Sequence, residues 1–351
     1  MADIIDYEDD DYDDDPAPVR ARRGYVEPAE PRRRWPKVVA IVLGVLLLVG
    51  AAIAGFYVFT LNSALGQVKR NTSMMPTSTA VRPSAATPAP EAAKKPLTFV
   101  LMGTDAADGG PPRSDSLMVA YLPSDRQHLY LVSFTRDMWV EIPGHGERKI
   151  NAAYALGGPA LTIETLESLL NVRMDHAASI DFDGFIHLTT VLGGVTVYNE
   201  YESQTNEFDF PQGEITISGE QALIYVRERE NLPEGDLSRA KRQRDVVTAI
   251  IKRATSAEVI ANPFKLNEFI SAASVVVQVD PGLTNGVVYR TASELKFTDD
   301  SIRSLQAPIL GFGTSWDGQS INLVDWEGLN ELAKAMQTDT MEEYYAAHPP
   351  Q

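Results

Sequence analysis

Guanidinium groups cluster in one stretch of this chain, residues 225–251. Arg227 and Arg229 come first, and Arg239, Arg242 and the amide of Gln243 follow a breaker segment of Asn231, Pro233 and Gly235. Beyond the breaker, Asp236 has the character of a helix N-cap, Lys252 and Arg253 suit a last turn, and Val246, Val247 and Ile250 recur at helical spacing. One and two turns back along that apolar face stand Gln243 and Arg239, with Arg242 beside them, whereas Lys241, Arg244 and Thr248 fall on the outer face, where solvated side chains are expected. A helix N-terminus carries unpaired N–H groups and partial positive charge, so inward arginines there build a site for an anion, most naturally phosphate. The alternative is a charged surface helix.

Other residues of the same chemistry lie upstream. Asp105 closes the apolar run at 97–103 in Gly103-Thr104-Asp105, and Asp115 opens the next in Arg113-Ser114-Asp115. Two carboxylates at the edges of neighbouring strands can share a divalent cation. Mg2+ favours one or two carboxylates, with phosphate oxygens and water completing its octahedron, although an aspartate in a glycine-rich loop is more often a turn residue. Arg136-Asp137 ends another apolar run, where side chains project toward a sheet-edge crevice or form a local ion pair. Lys149 and Asn151 stand at a helix start, where Asn can cap. The five histidines show no metal-ligand spacing, and no P-loop or Gly-x-Ser-x-Gly is present. Arg113, Arg136, Arg227, Arg229, Arg239 and Arg242 together exceed what one metal site needs. They suit a diphosphate, whose charge is spread over oxygens that Arg forks and Mg2+ can hold.

The elements that must position these residues begin at Leu97. Runs at 97–103, 116–122 and 128–134 read as strands, as do 178–182, 195–199 and 214–218. Residues 150–158 and 159–170 read as helices, the second with Pro159 in its first turn, and 182–194 reads as a helix ending on glycines. Further helices are expected near 263–278, 286–296 and 325–336, and strands near 302–307 and 320–324. Interleaved strands and helices predict an α/β fold with a mixed central sheet covered by helices on both faces, an α-β-α sandwich.

Upstream of Leu97 the chain is of other kinds. Nine of its 48 acidic residues fall in the first fifteen positions, so the formal charge of −17 belongs partly to a tail. Residues 1–37 offer almost nothing to bury and are expected to be a disordered cytoplasmic tail. Residues 38–61 carry no charge and are long enough to span a bilayer. Arg20, Arg22, Arg23, Arg32, Arg33, Arg34 and Lys37 precede that span and only Lys69 and Arg70 follow closely, which places the N-terminus in the cytoplasm and the rest outside. The alternative, a cleaved signal peptide, fits poorly behind a 37-residue acidic lead. Residues 62–96, rich in Ala, Pro and Thr, read as a linker, leaving 97–345 as an extracytoplasmic domain. The absence of cysteine excludes disulfides and thiolate metal sites.

These motifs, taken in order, resemble the LytR-CpsA-Psr family of bacterial cell-envelope proteins. The matching segments are GTD at 103–105, RSDSLMVAYL at 113–122, LVSFTRDMWVEIPG at 131–144, KINAAYALGG at 149–158, DFDGFIHLTTVLGGVTV at 181–197, SGEQALIYVRER at 218–229 and D-x-x-R-x-x-R-Q at 236–243. The resemblance implies a membrane-anchored phosphotransferase that moves a glycopolymer from a polyprenyl-diphosphate carrier onto peptidoglycan, through a phosphodiester link. It implies a deep apolar pocket for the polyprenyl tail. It also implies Mg2+, or Mn2+ in its place, on Asp105 and Asp115, and the diphosphate on Arg113, Arg136, Arg227, Arg229, Arg239, Arg242 and Gln243. Asp115, Arg136 and Asp137 would carry the catalysis, Asp137 by orienting the arginines or taking the acceptor's proton. Three departures stand out. Ala106 and Ala107 occupy positions where the family often has Arg, Thr135 replaces the proline usual before Arg136 and so predicts a looser strand end, and no extra C-terminal domain is evident. The alternatives are a hydrolase of diphosphate-linked lipids and a non-catalytic membrane-bound regulator. Nucleic acid is not an expected partner, because the one cytoplasmic segment is short and acidic.

Overall fold

A computed structural model describes residues 55, 59, 62–77, 82–85, 87, 94–105, 113–205, 207–298 and 300–349, the side chain of Arg113 excepted. The acidic tail and nearly all of the apolar stretch expected to span a membrane lie outside the described residues. Among the described residues no helix is long and apolar enough to cross a membrane.

The first part of the domain runs β1 (Lys69–Arg70), β2 (Leu97–Asp105), β3 (Arg113–Leu122), β4 (Leu129–Phe134), the hairpin β5 (Trp139–Ile142) and β6 (Gly146–Lys149), then α1 (Ala152–Leu170). There follow β7 (His176–Asp181), α2 (Phe182–Val191), β8 (Val195–Asn199), β9 (Ser203–Gln204), β10 (Asp209–Phe210), β11 (Gly213–Ile217), α3 (Gly219–Arg227) and α4 (Asp236–Ala254). The last part is α5 (Ala257–Ile260), α6 (Pro263–Val276), β12 (Val277–Val279), α7 (Asn285–Glu294), β13 (Ile302–Gln306), β14 (Ile309–Thr314), β15 (Ser320–Val324), α8 (Trp326–Thr338) and α9 (Met341–Ala347).

Seven strands form one sheet in the order β1-β12-β7-β2-β3-β4-β13. Pairing is parallel for β1–β12, β7–β2 and β4–β13, and antiparallel for β12–β7, β2–β3 and β3–β4, so the sheet is mixed as expected. Alternation along the central strands assigns each side chain to a face. Val100, Met102, Leu117, Val119, Tyr121, Val132 and Phe134 pack in the main core with Ile163, Leu166 and Leu170 of α1 and Leu329, Leu332 and Met336 of α8. The spacing of the α8 residues is that of one helical stripe, and Asp325 caps the helix by accepting from the Gly328 amide, a contact worth about 1 kcal/mol. The residues between them on the strands face α2, α3 and α4, which share a second apolar cluster including Leu192, Val226 and Val246.

Several expectations change. Residues 62–96 are not simply a linker: β1 joins the sheet edge, Met74 is fully buried in the main core, and Arg82 makes a buried ion pair with Glu167 at 2.6 Å. The two helices expected at 150–170 form one run, broken by non-helical backbone at Gly157 and Gly158. The last positions of the helix expected at 263–278 belong instead to β12, where Val277–Val279 pair with β7. The apolar run before Arg227, in the segment SGEQALIYVRER, is the helix α3. The strands β5, β6 and β14 were not anticipated, because short, glycine-interleaved segments carry little periodic signal.

Candidate active site

Between the second sheet face and the helices lies a cavity of about 490 Å³. Leu101, Gly103, Met118, Ala178 and Ile180 come from the sheet; Phe182, Phe185 and Leu188 from α2; Leu223 and Val226 from α3; Val247, Ile250 and Ile251 from α4. The lining then turns charged, with Asp115, Arg136, Arg227, Arg229, Arg239 and Gln243 completing the same pocket. An apolar slot that ends in guanidinium groups is amphipathic by construction.

Each charged side chain is placed by a local device. The β2–β3 register shifts between Gly103 and Thr104, paired with Ser116 and Ser114, so Asp115 is the extra residue of a β-bulge. A bulge re-aims the inserted side chain, and here it turns Asp115 to the pocket. Asp115 Oδ1 accepts from Arg136 at 3.1 Å. Arg136 follows β4, and its Nε lies 3.7 Å from Asp137 and 3.4 Å from Asp236. Burial alone would depress the Arg136 guanidinium, but Asp236, Asp137 and Asp115 hold it above its ordinary value. Asp137 also takes the ammonium of Lys149 at 2.8 Å, which assigns Lys149 to the site; Asn151 makes no side-chain cap. The Arg227 guanidinium lies over the Phe182 ring, 4.6 Å from its centroid, and Gln243 Nε2 donates to Val226 O at 3.3 Å.

The helix start differs from expectation. Gly235, in the left-handed region at φ 53°, is the N-cap, and Asp236 is the first helical residue. Freed from capping, the Asp236 carboxylate pairs with Arg239 and Arg136. Burial pushes its pKa up against the pull of both guanidiniums, and burial likewise lowers Arg239 despite Asp236. Asp236 is therefore a site residue that its N-cap character concealed.

Two arginines of this helix lie elsewhere. Arg242, expected to grip the diphosphate, turns away from the cavity: its NH2 donates to Asn199 Oδ1, Tyr201 O and Ser203 Oγ at 2.9, 3.0 and 2.9 Å, and its guanidinium lies 4.2 Å from the Tyr225 ring centroid. Arg244, expected in solvent, is buried and donates to Ser133 Oγ of β4 at 2.6 Å. Both corrections share a cause. This helix packs on the sheet edge and on β8 as well as on the pocket, so it has little outer face. Thr135 is likewise not loose. It is buried and accepts from Asn322 Nδ2 at 2.7 Å, while Asn322 N donates to Asp137 O at 2.8 Å. This clamp from β15 holds the segment the family's proline would stiffen.

For a metal, the described residues contain no group of three acidic, histidine or cysteine side chains that could hold one alone. Asp105, at the end of β2, and Asp115, in the bulge beside it, are hard oxygen donors. They fit an ion whose remaining ligands are phosphate oxygens and water.

The sequence model of the LytR-CpsA-Psr family matches residues 56–338. The chain belongs to that family. Among its relatives, the polyisoprenyl-teichoic acid–peptidoglycan teichoic acid transferase TagU of Enterococcus faecalis is 32% identical over 305 residues, covering 86% of this chain and 96% of the relative. TagU of Bacillus subtilis is 31% identical over 245 residues, covering 69% and 78%. The crystal structure of B. subtilis TagV is 31% identical with a TM-score of 0.61, covering 71% of this chain and 98% of that one. Family membership and the TagV likeness agree with the mixed α/β architecture. The motifs at 113–122, 131–144, 218–229 and 236–243 deliver Asp115, Arg136, Arg227, Arg229, Arg239 and Gln243 to one pocket.

Proposed function

We propose that the chain is a phosphotransferase that moves a glycopolymer from a polyprenyl-diphosphate carrier onto peptidoglycan. One observation carries this reading: an apolar cavity whose charged end is lined by Arg136, Arg227, Arg229 and Arg239 has the two-part chemistry of a donor with an isoprenoid tail and a diphosphate head. The names of the TagU relatives support it, since those proteins are called transferases of teichoic acid from a polyisoprenyl carrier to peptidoglycan.

In this reading the tail fills the cavity and the arginines take the diphosphate oxygens. A sugar hydroxyl of the acceptor attacks the phosphorus bonded to the glycopolymer, its proton passing to the Asp137 carboxylate or to solvent. A new P–O bond forms to peptidoglycan, the anhydride P–O bond breaks, and polyprenyl phosphate leaves with the electron pair. Arg136, oriented by Asp115, Asp137 and Asp236, and Arg239 face the charge that develops on the bridging and leaving oxygens. Such a preoriented donor contributes about 10²–10³ in rate. Asp137, held by Lys149 and near Arg136, serves orientation first. Asp105 and Asp115 would hold Mg2+, which supplies charge neutralisation of the phosphates when bound. The apolar stretch 38–61 would anchor the chain with its domain outside the cytoplasmic membrane.

The test is turnover by the full-length chain in detergent with a polyprenyl-diphosphate-linked sugar and peptidoglycan fragments, with and without Mg2+, beside Asp115→Ala and Arg227→Ala. Polyprenyl phosphate appearing together with a sugar-phosphate adduct, both lost in the variants and in chelator, is the expected result. Polyprenyl phosphate without adduct would favour hydrolysis. A folded chain with no turnover on any lipid-linked donor would favour the regulatory alternative.

A further inference from the structure

The β14–β15 ribbon exposes large apolar side chains that no core requires. Trp316 is 83% exposed and Phe312 61%, with Leu310, Leu323 and Trp326 also exposed nearby. The ribbon is not a loose loop. Trp316 sits in a turn closed by Ser315 N donating to Gln319 O at 2.9 Å, Gly318 N to Ser315 O at 3.0 Å and Gln319 N to Ser315 Oγ at 3.0 Å. Gly313 leaves room for Leu323 to pack across the ribbon, since a Cβ there would lie 2.9 Å from Leu323 Cδ2. A rigid aromatic surface loses little conformational freedom on binding, and an exposed apolar patch rimmed by polar groups marks an interaction site.

Its place in the fold says what it binds. Phe312 pairs in register with Asn322, and Asn322 is the residue that bonds Thr135 and the Asp137 carbonyl on either side of Arg136. With the donor's tail in the cavity, the acceptor must approach Arg136 from outside, beside this ribbon. A pyranose ring presents an apolar C–H face that stacks on aromatic rings and a rim of hydroxyls that needs hydrogen-bonding partners; Thr314, Asp317, Gln319 and Ser320 flank Trp316 along the chain. We propose that the β14–β15 ribbon, with Trp316 and Phe312 as stacking faces, is the platform for the acceptor glycan strand, an inference that rests on the transferase reading above. The same residues would suit a bilayer interface. However, β1, where the chain arrives from the apolar stretch 38–61, forms the sheet edge opposite β13, from which the ribbon issues.

The experiment uses the full-length chain in detergent with lipid-free, muramidase-released peptidoglycan glycan fragments. Binding is followed by calorimetry and turnover by the adduct assay, for wild type, Trp316→Ala, Trp316→Phe and Phe312→Ser. Expected is a rise of about 3- to 10-fold in fragment Kd and acceptor KM for Trp316→Ala, with donor KM and Tm unchanged and most affinity restored in Trp316→Phe. Unchanged fragment Kd and acceptor KM in both Trp316→Ala and Phe312→Ser overturn the platform and leave the transferase intact. Loss of flotation with phosphatidylglycerol vesicles in Trp316→Ala, with glycan binding kept, also overturns it, in favour of a membrane contact. Trp316-dependent glycan binding without transfer from any lipid-linked donor would sustain the platform while the transferase reading fails.

Discussion

Arg239 and Arg242 sit less than one turn apart on α4 and are almost equally buried, at 6% and 5% exposed. Arg239 reaches the cavity and pairs with Asp236, itself shared with Arg136. Arg242 projects from the adjoining face toward β8 and meets neutral oxygens of Asn199, Tyr201 and Ser203 and the faces of Tyr225 and Phe210. Arg244, a little further on, meets one serine hydroxyl. Burial thus does not separate an arginine that waits for a ligand from one that holds the fold together. The neighbours do: acidic partners beside an open cavity on one side, neutral acceptors and aromatic faces on the other.

The largest effect that tests this contrast is catalytic. Arg239→Ala should lower kcat/KM for the lipid-linked donor by about 10²–10³-fold, with a cooperative melt close to that of wild type. A loss in activity that merely tracked a loss of folded protein would erase the distinction between the two sides of the helix. Arg242→Ala should do the reverse. Its neutral partners can relax, but the lost hydrogen bonds and ring contacts cost about 2–3 kcal/mol, a fall of roughly 5–10 °C in Tm, and activity per folded molecule should stay near wild type. If Arg242→Ala instead raises donor KM at unchanged Tm, the helix has been assigned its faces the wrong way round.

The same helix shows how far sequence could be read. Its existence, and the placing of Arg239 and Gln243 on the pocket side, followed from Val246, Val247 and Ile250 recurring at helical spacing. The mixed sheet followed from short apolar runs, several of them alternating with helical patterns. Periodicity names one buried face, however, and α4 has contacts on three sides. Arg242 and Arg244 were misplaced because nothing local announces β8 or β4 as neighbours. Asp236 was misread because an acidic residue at a helix start has two uses, and only the left-handed Gly235 before it decides between them. The bulge at Asp115 and the docking of Met74 and Arg82 are tertiary outcomes that composition hides.

Arg244 offers a smaller, opposite-signed test. It is a buried charge facing one hydroxyl, and burial draws its pKa down to about 10 even with Asp245 nearby. Replacing a weakly compensated buried charge with an apolar side chain of similar length is commonly neutral or stabilising. Arg244→Met should therefore leave activity unchanged and Tm equal or higher by a few degrees. A drop like that of Arg242→Ala would mean that the Ser133 bond is worth more than the cost of desolvating the guanidinium.

The finest test is the response to alkali, where the two buried groups oppose each other. Burial raises Tyr225 to about 12, partly offset by Arg242, whereas an unfolded tyrosine ionises near 10. From pH 10 toward 12 the folded state keeps a proton that the unfolded state has lost, so stability falls as pH rises. For Arg244 the folded value is the lower one, about 10, well below that of an exposed guanidinium. Over that window the unfolded state keeps the proton, and this group makes stability rise with pH. Tyr344, also raised to about 12 by burial, acts with Tyr225, so the net slope of Tm should be downward above pH 10. Tyr225→Phe should flatten that slope and Arg244→Met should steepen it, read by thermal melts across the window. Equal slopes in all three proteins would mean that neither side chain changes its environment on folding as its burial in this helix's packing requires.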